Sequence, residues 1–393
     1  MADGKHRGAV FTHPAFRSLV ANTDAYRWFF PAATLYGMVV LPISVYSLTT
    51  GVTILAGIAT PLGHAHELLF GYALGVATGF LLNRVPRWWI FSLFFIWCGA
   101  RIGYLLAPGS LFADLANLLF ALGFAVSGSS RFLPRAKKWR NKAFGLNLII
   151  LGVAAASAHG VIERAPVYVI YLATYEAVLM IALLMLLMGG RLLAPAIAGH
   201  IESEGGSLEA RVQPRLEGAI IILMLLGGGA YLLPVPSMVP GVLIAMAGLT
   251  AILRLARWRL WACLDRLDLL GLAVGYAWVS GGLLYTGARL MLGLGLTAAL
   301  HAITVGAIGT LTLCVMSRTW MQRSGVHPNE FVGLKHVVGL VSLSAVLRLV
   351  SGTLLDDWAG LAQLLAAIAW STAFAMVLVL VMIKYPGRKF SGR

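Results

Sequence analysis

Charge is what this chain has least of. Only 11% of its 393 residues are Asp, Glu, Lys or Arg, where about 25% is ordinary for a globular chain. That leaves too little polar surface to keep a fold of this size in water and excludes a soluble enzyme. Carboxylates are scarcer still, with 15 acidic residues against 30 basic ones, which argues against oxygen-rich cages for calcium or magnesium. The three cysteines, Cys98, Cys263 and Cys314, lie in or beside apolar stretches without a paired framework, so no structural disulfide is expected. Also missing are a Walker loop, a dinucleotide glycine fingerprint and a Cys-x-x-Cys-His haem attachment. No convincing internal repeat and no soluble domain can be found.

What is abundant is hydrocarbon: 59% of residues are hydrophobic and the mean hydropathy is +0.85. Several apolar runs exceed the roughly 18 residues that mark a bilayer span. Turn residues divide them into about twelve predicted spans, at 29–49, 64–82, 88–107, 111–130, 144–161, 166–188, 217–234, 237–255, 267–286, 291–316, 332–353 and 358–383. The fold class is therefore all-α, a polytopic membrane helix bundle. Residues 1–28 form an N-terminal tail, 29–383 a single transmembrane domain and 384–393 a C-terminal tail. Met1 to Arg27 is polar and basic, and further spans follow the first apolar run, so the start does not read as a cleaved signal peptide.

The net charge of +15 could point to nucleic acid, but its distribution points to membrane orientation. All basic residues except Arg101, Arg164, Arg289 and Arg348 fall in the two tails, in the connections on one side or at the span ends that adjoin them. By the positive-inside rule both termini face the cytoplasm. Trp28, Trp88, Trp89, Trp139, Trp258, Trp261 and Trp320 sit at the same interface, as an aromatic belt. The basic run Arg131 to Lys142 reads as a topology determinant and lipid-headgroup anchor, and His200 to Arg215 as a cytoplasmic linker.

Against this background the intramembrane polar residues stand out. His64, His66 and Glu67 lie at the outer end of the second span, Arg101 in the outer half of the third, and His159 and Glu163 close the fifth. Glu176 is near the middle of the sixth span, and His301 lies in the outer half of the tenth. His6, His13, His200, His327 and His336 fall on the cytoplasmic side. Ionisable groups at such depths mark a pathway, a cofactor or a paired site, or else act as interhelical hydrogen-bonding glue. Histidines with few carboxylates suit haem iron or copper. At about 100° per residue, His64 and Glu67 share a face with Gly71, Gly75 and Gly79, and His66 points roughly the opposite way. The glycine ladder admits a neighbouring helix or a flat macrocycle. His301 shares a face with Thr304, Val305, Ile308 and Thr312, and Cys314 lies on the other side. Arg101 can meet Glu67 or a haem propionate, with Cys98 one turn away as a packing residue.

These motifs resemble the NnrS family. The similarity begins at "YRWFFPAATLYG" and is strongest at "HAHELLFGYALGVATGFLL". It continues through "WCGAR", "RNKAFG", "GGRLLAPAIAGH" and "HAITVGAIGTLTLCVMSR". The resemblance implies a multi-pass protein of the bacterial inner membrane that carries haem and copper and acts in nitric-oxide metabolism or the nitrosative-stress response. Nitric oxide or metal–nitrosyl species would be its small-molecule partners, and no nucleic acid is involved. It implies His64, His66 and His301 as metal ligands, Arg101 as a further cofactor-binding residue, and Glu67 and His159 as pairing residues. Whether the protein is an enzyme stays open. Two departures are visible: Ala273 stands where many members carry a histidine, and "TWMQRSGVHPNE" replaces a Gly-His-Thr-Gly-Arg-like loop. The rival readings are a secondary transporter using Glu67, Arg101 and Glu176 as coupling or substrate groups, and a structural membrane subunit.

Overall fold

Glycine and proline divide the chain into helices, and the computed structural model shows how they pack. It describes residues 22–133, 136–157, 167–352 and 358–385. In chain order the helices are α1 (Tyr26–Thr50), α2 (61–81), α3 (Arg87–Leu106), α4 (Leu111–Ser129), α5 (Trp139–Ser157) and α6 (Val167–Ser203). Then follow α7 (Pro214–Tyr231), α8 (Met238–Ala256), α9 (Leu267–Met291), α10 (Thr297–Ser324), α11 (Leu334–Ser351) and α12 (Ala359–Ile383). Among the described residues, ten of these helices are long and apolar enough to cross a membrane, and the fold is an all-helical polytopic bundle. The α2 run and α5 occupy the places of the predicted second and fifth spans.

Local chemistry sets several helix ends. Ser110 caps α4 by accepting from the Ala113 N–H at 3.3 Å. Thr60 does the same for α2 from the Gly63 N–H at 3.1 Å, with Pro61 in the first turn, where its missing N–H costs nothing. The end of α1 falls at Gly51, which takes a left-handed conformation. A short antiparallel pairing of Asn22–Thr23 with Val85–Pro86 ties the start of α1 to the α2–α3 connection. There Asp24 accepts from the Arg84 N–H at 3.0 Å and pairs with Arg323 at 3.4 Å.

Burial separates centre from rim. In α6 the most apolar stretch is 83% buried, and α10 follows at 72%, whereas α3 and α11 bury 33%. Around these two, α1 packs on α2 and α12, α9 on α8 and α10, and α11 on α10 and α12. The sixth predicted span ended at residue 188, but the helix runs on to Ser203, so His200 is helical and contacts Asp265 at 3.1 Å rather than opening a linker. Composition marks where lipid ends; it does not mark where a helix supported by protein on its flanks must stop. The three cysteines are unpaired.

Three of the helices carry π-helical segments; that of α12, Leu378–Ile383, closes the helix, and the other two lie beside histidines. In α2 the π-helical segment Glu67–Ala73 follows directly on Pro61–His66, and in α10 the π-helical segment Ala302–Gly309 follows directly on Thr297–His301. π-turns of this kind are rare and concentrate at functional sites. The segments of α2 and α10 each begin immediately after a histidine.

Candidate metal centre

Helices α1, α2, α10 and α12 enclose a cavity of about 30 Å³ lined by His64, His301, Leu41, Tyr72, Thr304 and Trp370, among others. Hydrogen bonding fixes both imidazoles in the same sense. The Ser44 hydroxyl donates to the Ile58 carbonyl at 2.8 Å, so at its 2.9 Å contact with His64 it accepts from Nδ1–H. In His301, Nδ1 lies 2.6 Å from the Thr297 carbonyl, which can only accept. Each ring therefore carries its proton on Nδ1 and keeps the Nε2 lone pair open, and among the described residues no hydrogen bond to either Nε2 is found. A neutral imidazole pinned through one nitrogen and bare at the other is the form in which histidine ligates a metal.

The cavity is about the size of one water or one bare ion. Two nitrogen donors fall short of the four ligands zinc favours, and no group of three or more metal-ligating residues is found among the described residues. Arg348 of α11 is within electrostatic range of both rings. Its charge raises the cost of a multiply charged cation and favours a monovalent soft one. Two such donors are a set that could hold a two-coordinate copper(I) ion. The space between these rings, as it stands, is that of an ion rather than of a macrocycle. A larger cavity of about 100 Å³ lies between α2, α6, α9 and α10, but its lining, from Ala73 and Phe80 to Met185, Leu272 and Val315, contains no imidazole. Ile308 lines both cavities, and the hydrogen bond between Tyr72 and Thr312, at 2.5 Å, links the wall of one to the wall of the other.

The other polar residues of the second-span motif build a separate, closed network. Glu67 is fully buried and receives Arg101 Nη1 at 2.6 Å, His66 Nδ1 at 2.8 Å and the Tyr36 hydroxyl. Arg101 also donates to Asn117, whose amide donates in turn to the Ala113 carbonyl at 2.9 Å. The His66 ring stacks on Tyr104 with centroids 4.0 Å apart. This corrects the regular-helix expectation for the motif. His64 and Glu67 do not serve one site, and His66 does not point away from Glu67 but bonds to it. His64 and Glu67 both precede the extra winding of the π-turn, and it is their partners on α1, α3 and α10 that divide them; the turn breaks the count of about 100° per residue only between the histidines and the glycines that follow. Arg101 meets Glu67, one of the two partners expected for it.

The glycine ladder also has an occupant. A Cβ at Gly71 would strike the Arg101 side chain, one at Gly75 would lie 3.1 Å from the Trp97 ring nitrogen, and one at Gly79 would lie 2.8 Å from the Phe30 ring. Trp97 further donates to the Gly71 carbonyl at 2.9 Å. The ladder therefore packs protein against α1 and α3. Cys314 lies against Gly271, away from the histidine cavity. His159 lies outside the described residues. Ser44, Tyr36, Asn117 and Arg348 complete these sites. Of these, Arg348 carried a signal, as an arginine inside an apolar span, and Tyr36 lay within a quoted motif.

A family model described as NnrS protein matches residues 22–385, nearly the whole chain. No curated protein matches it at a significant level.

Proposed function

The chain belongs to the NnrS family, and from that premise we propose that it is a twelve-span bacterial inner-membrane protein with both termini cytoplasmic, holding a copper ion between His64 and His301. Its role on this reading lies in nitric-oxide metabolism or the nitrosative-stress response. One observation carries the metal proposal: two histidines from helices far apart in sequence reach one ion-sized cavity, each with Nδ1 held and Nε2 bare. The ion would supply a soft centre for a small neutral ligand. Ser44 and Thr297 hold the rings in the ligating tautomer, and Arg348 supplies the only cationic side chain within range of both rings among the described residues. The neighbouring cavity, walled almost wholly by hydrocarbon, suits a small uncharged molecule arriving through the membrane. On this reading His66, Glu67 and Arg101 support α2 and do not ligate.

The test is metal content and spectrum of detergent-purified protein. Wild type loaded with copper(I) is expected to retain about one ion per chain. His64→Ala and His301→Ala should each lose it, and His66→Ala should keep it wherever it folds. Full retention in both of the first two variants would remove the site. A Soret band that disappears in the same two variants would assign haem rather than a bare ion to these rings. Colourless protein that binds no copper would leave the transporter reading in its place.

A further inference from the structure

A second cluster lies at the opposite end of the bundle, where two of the sequence motifs left without a role converge. "RNKAFG" brings Arg140 and Asn141 on α5, and "GGRLLAPAIAGH" brings Gly190 and Arg191 on α6; Glu217 of α7 and Arg254 of α8 complete it. Arg140 binds Glu217 at 2.5 Å and Arg254 approaches the same carboxylate at 3.9 Å. Arg191 donates to Asn141 at 2.8 Å, stacks over Phe144 at 4.7 Å and is within electrostatic range of Arg140, Glu217 and Arg254. Gly190 lets the Arg254 guanidinium lie against α6, where a Cβ would push it aside.

Two guanidiniums therefore share one carboxylate, a third lies within electrostatic range of it, and among the described residues no further acid joins them. Arg254 is 5% exposed and its Nε has no hydrogen-bond partner, nor has Nε1 of the fully buried Trp258 beneath its guanidinium. Part-buried positive charge in this excess is costly unless an anion balances it. Trp139, half exposed, packs over Gly218 next to Glu217, and Trp261 is exposed at the same end of α8. Such tryptophans sit at headgroup depth, where a basic pocket between helices meets lipid phosphate.

We infer that Arg140, Arg191 and Arg254 form a binding site for the phosphate group of an anionic phospholipid. The test is native mass spectrometry of the full chain with phosphatidylglycerol or phosphatidylcholine, with a parallel titration of inorganic phosphate followed by thermal denaturation. Wild type should retain phosphatidylglycerol over phosphatidylcholine. Arg191→Gln should weaken that retention about tenfold or more, as expected for loss of a charge-assisted contact, and Arg191→Lys should keep part of it. Equal retention of the two lipids, or an unchanged preference in Arg191→Gln, overturns the site. Stabilisation by millimolar phosphate without lipid preference would identify a free-anion site and overturn the lipid assignment. Should Arg191→Gln fail to fold, the wild-type comparison of the two lipids and the Arg191→Lys variant decide.

Discussion

Arg101→Met is expected to destabilise the folded protein by about 3–5 kcal/mol, the range for removing one partner of a buried ion pair. Arg101 is 3% exposed and Glu67 is fully buried. The variant strands a carboxylate whose remaining partners, His66 and Tyr36, carry no fixed positive charge, and it leaves Asn117 without its donor. Glu67→Ala should cost a similar amount for the mirrored reason, a guanidinium left facing only an amide. The double variant Glu67→Gln/Arg101→Met removes both charges, so it should be less damaging than Arg101→Met alone. Unfolding in mixed micelles, titrated with a denaturing detergent and compared with the outward-facing control Ile102→Ala, measures all four. If Arg101→Met unfolds no sooner than the control, the network does not stabilise the fold.

Gly287→Val should disrupt the α8–α9 contact, at or above the upper end of the roughly 1–3 kcal/mol usual for overpacking. A Cβ at Gly287 would sit 2.5 Å from both the Ala245 nitrogen and the Gly241 carbonyl oxygen. At Gly248 it would lie 2.6 Å from the Leu284 nitrogen and 2.7 Å from the Ser280 carbonyl. These neighbours are backbone, which cannot swing aside as a side chain can. Two helices that approach so closely follow the small-residue packing rule of membrane interfaces. Gly281→Val on the same helix meets nothing within 4 Å and should be nearly silent. Comparing the two variants for folded yield and thermal midpoint separates loss of close packing from the effect of valine on a helix.

Hydropathy and the placement of lysine and arginine were enough to read the helical bundle, because lipid imposes a length and a composition on every crossing segment. The same signals ended α6 too early at residue 188, since helix–helix contact rather than lipid supports it as far as Ser203. His301 and His64 were legible as intramembrane imidazoles, yet their meeting was not, because they come from helices separated by more than half of the chain. Ser44 was invisible: a serine in an apolar helix signals nothing until its hydroxyl is found between Ile58 and His64. That Glu67 pairs with His66 and Arg101 while His64 enters the cavity was not legible, because the partners on α1, α3 and α10 that divide them are not visible in the sequence of α2. Arg348 stands out in the sequence as an arginine deep in an apolar span, but only packing brings it near both imidazoles.

The π-turns act as phase shifts. A turn with one residue in excess rotates everything before it by about 100° relative to everything after it. In α2 the boundary falls at Glu67, so the histidine end and the glycine end keep different angular settings on one continuous rod. Deleting a single residue between 67 and 73 would shorten that rod by only about 1.5 Å, and the helix would still fit its place in the bundle. It would nevertheless swing His64 off the cavity while Gly75 and Gly79 stayed seated on Trp97 and Phe30. The same holds at Ala302 for His301. The aim of both imidazoles is therefore set by one surplus residue in each helix, and a lineage could switch the pair off by losing either one without touching a histidine.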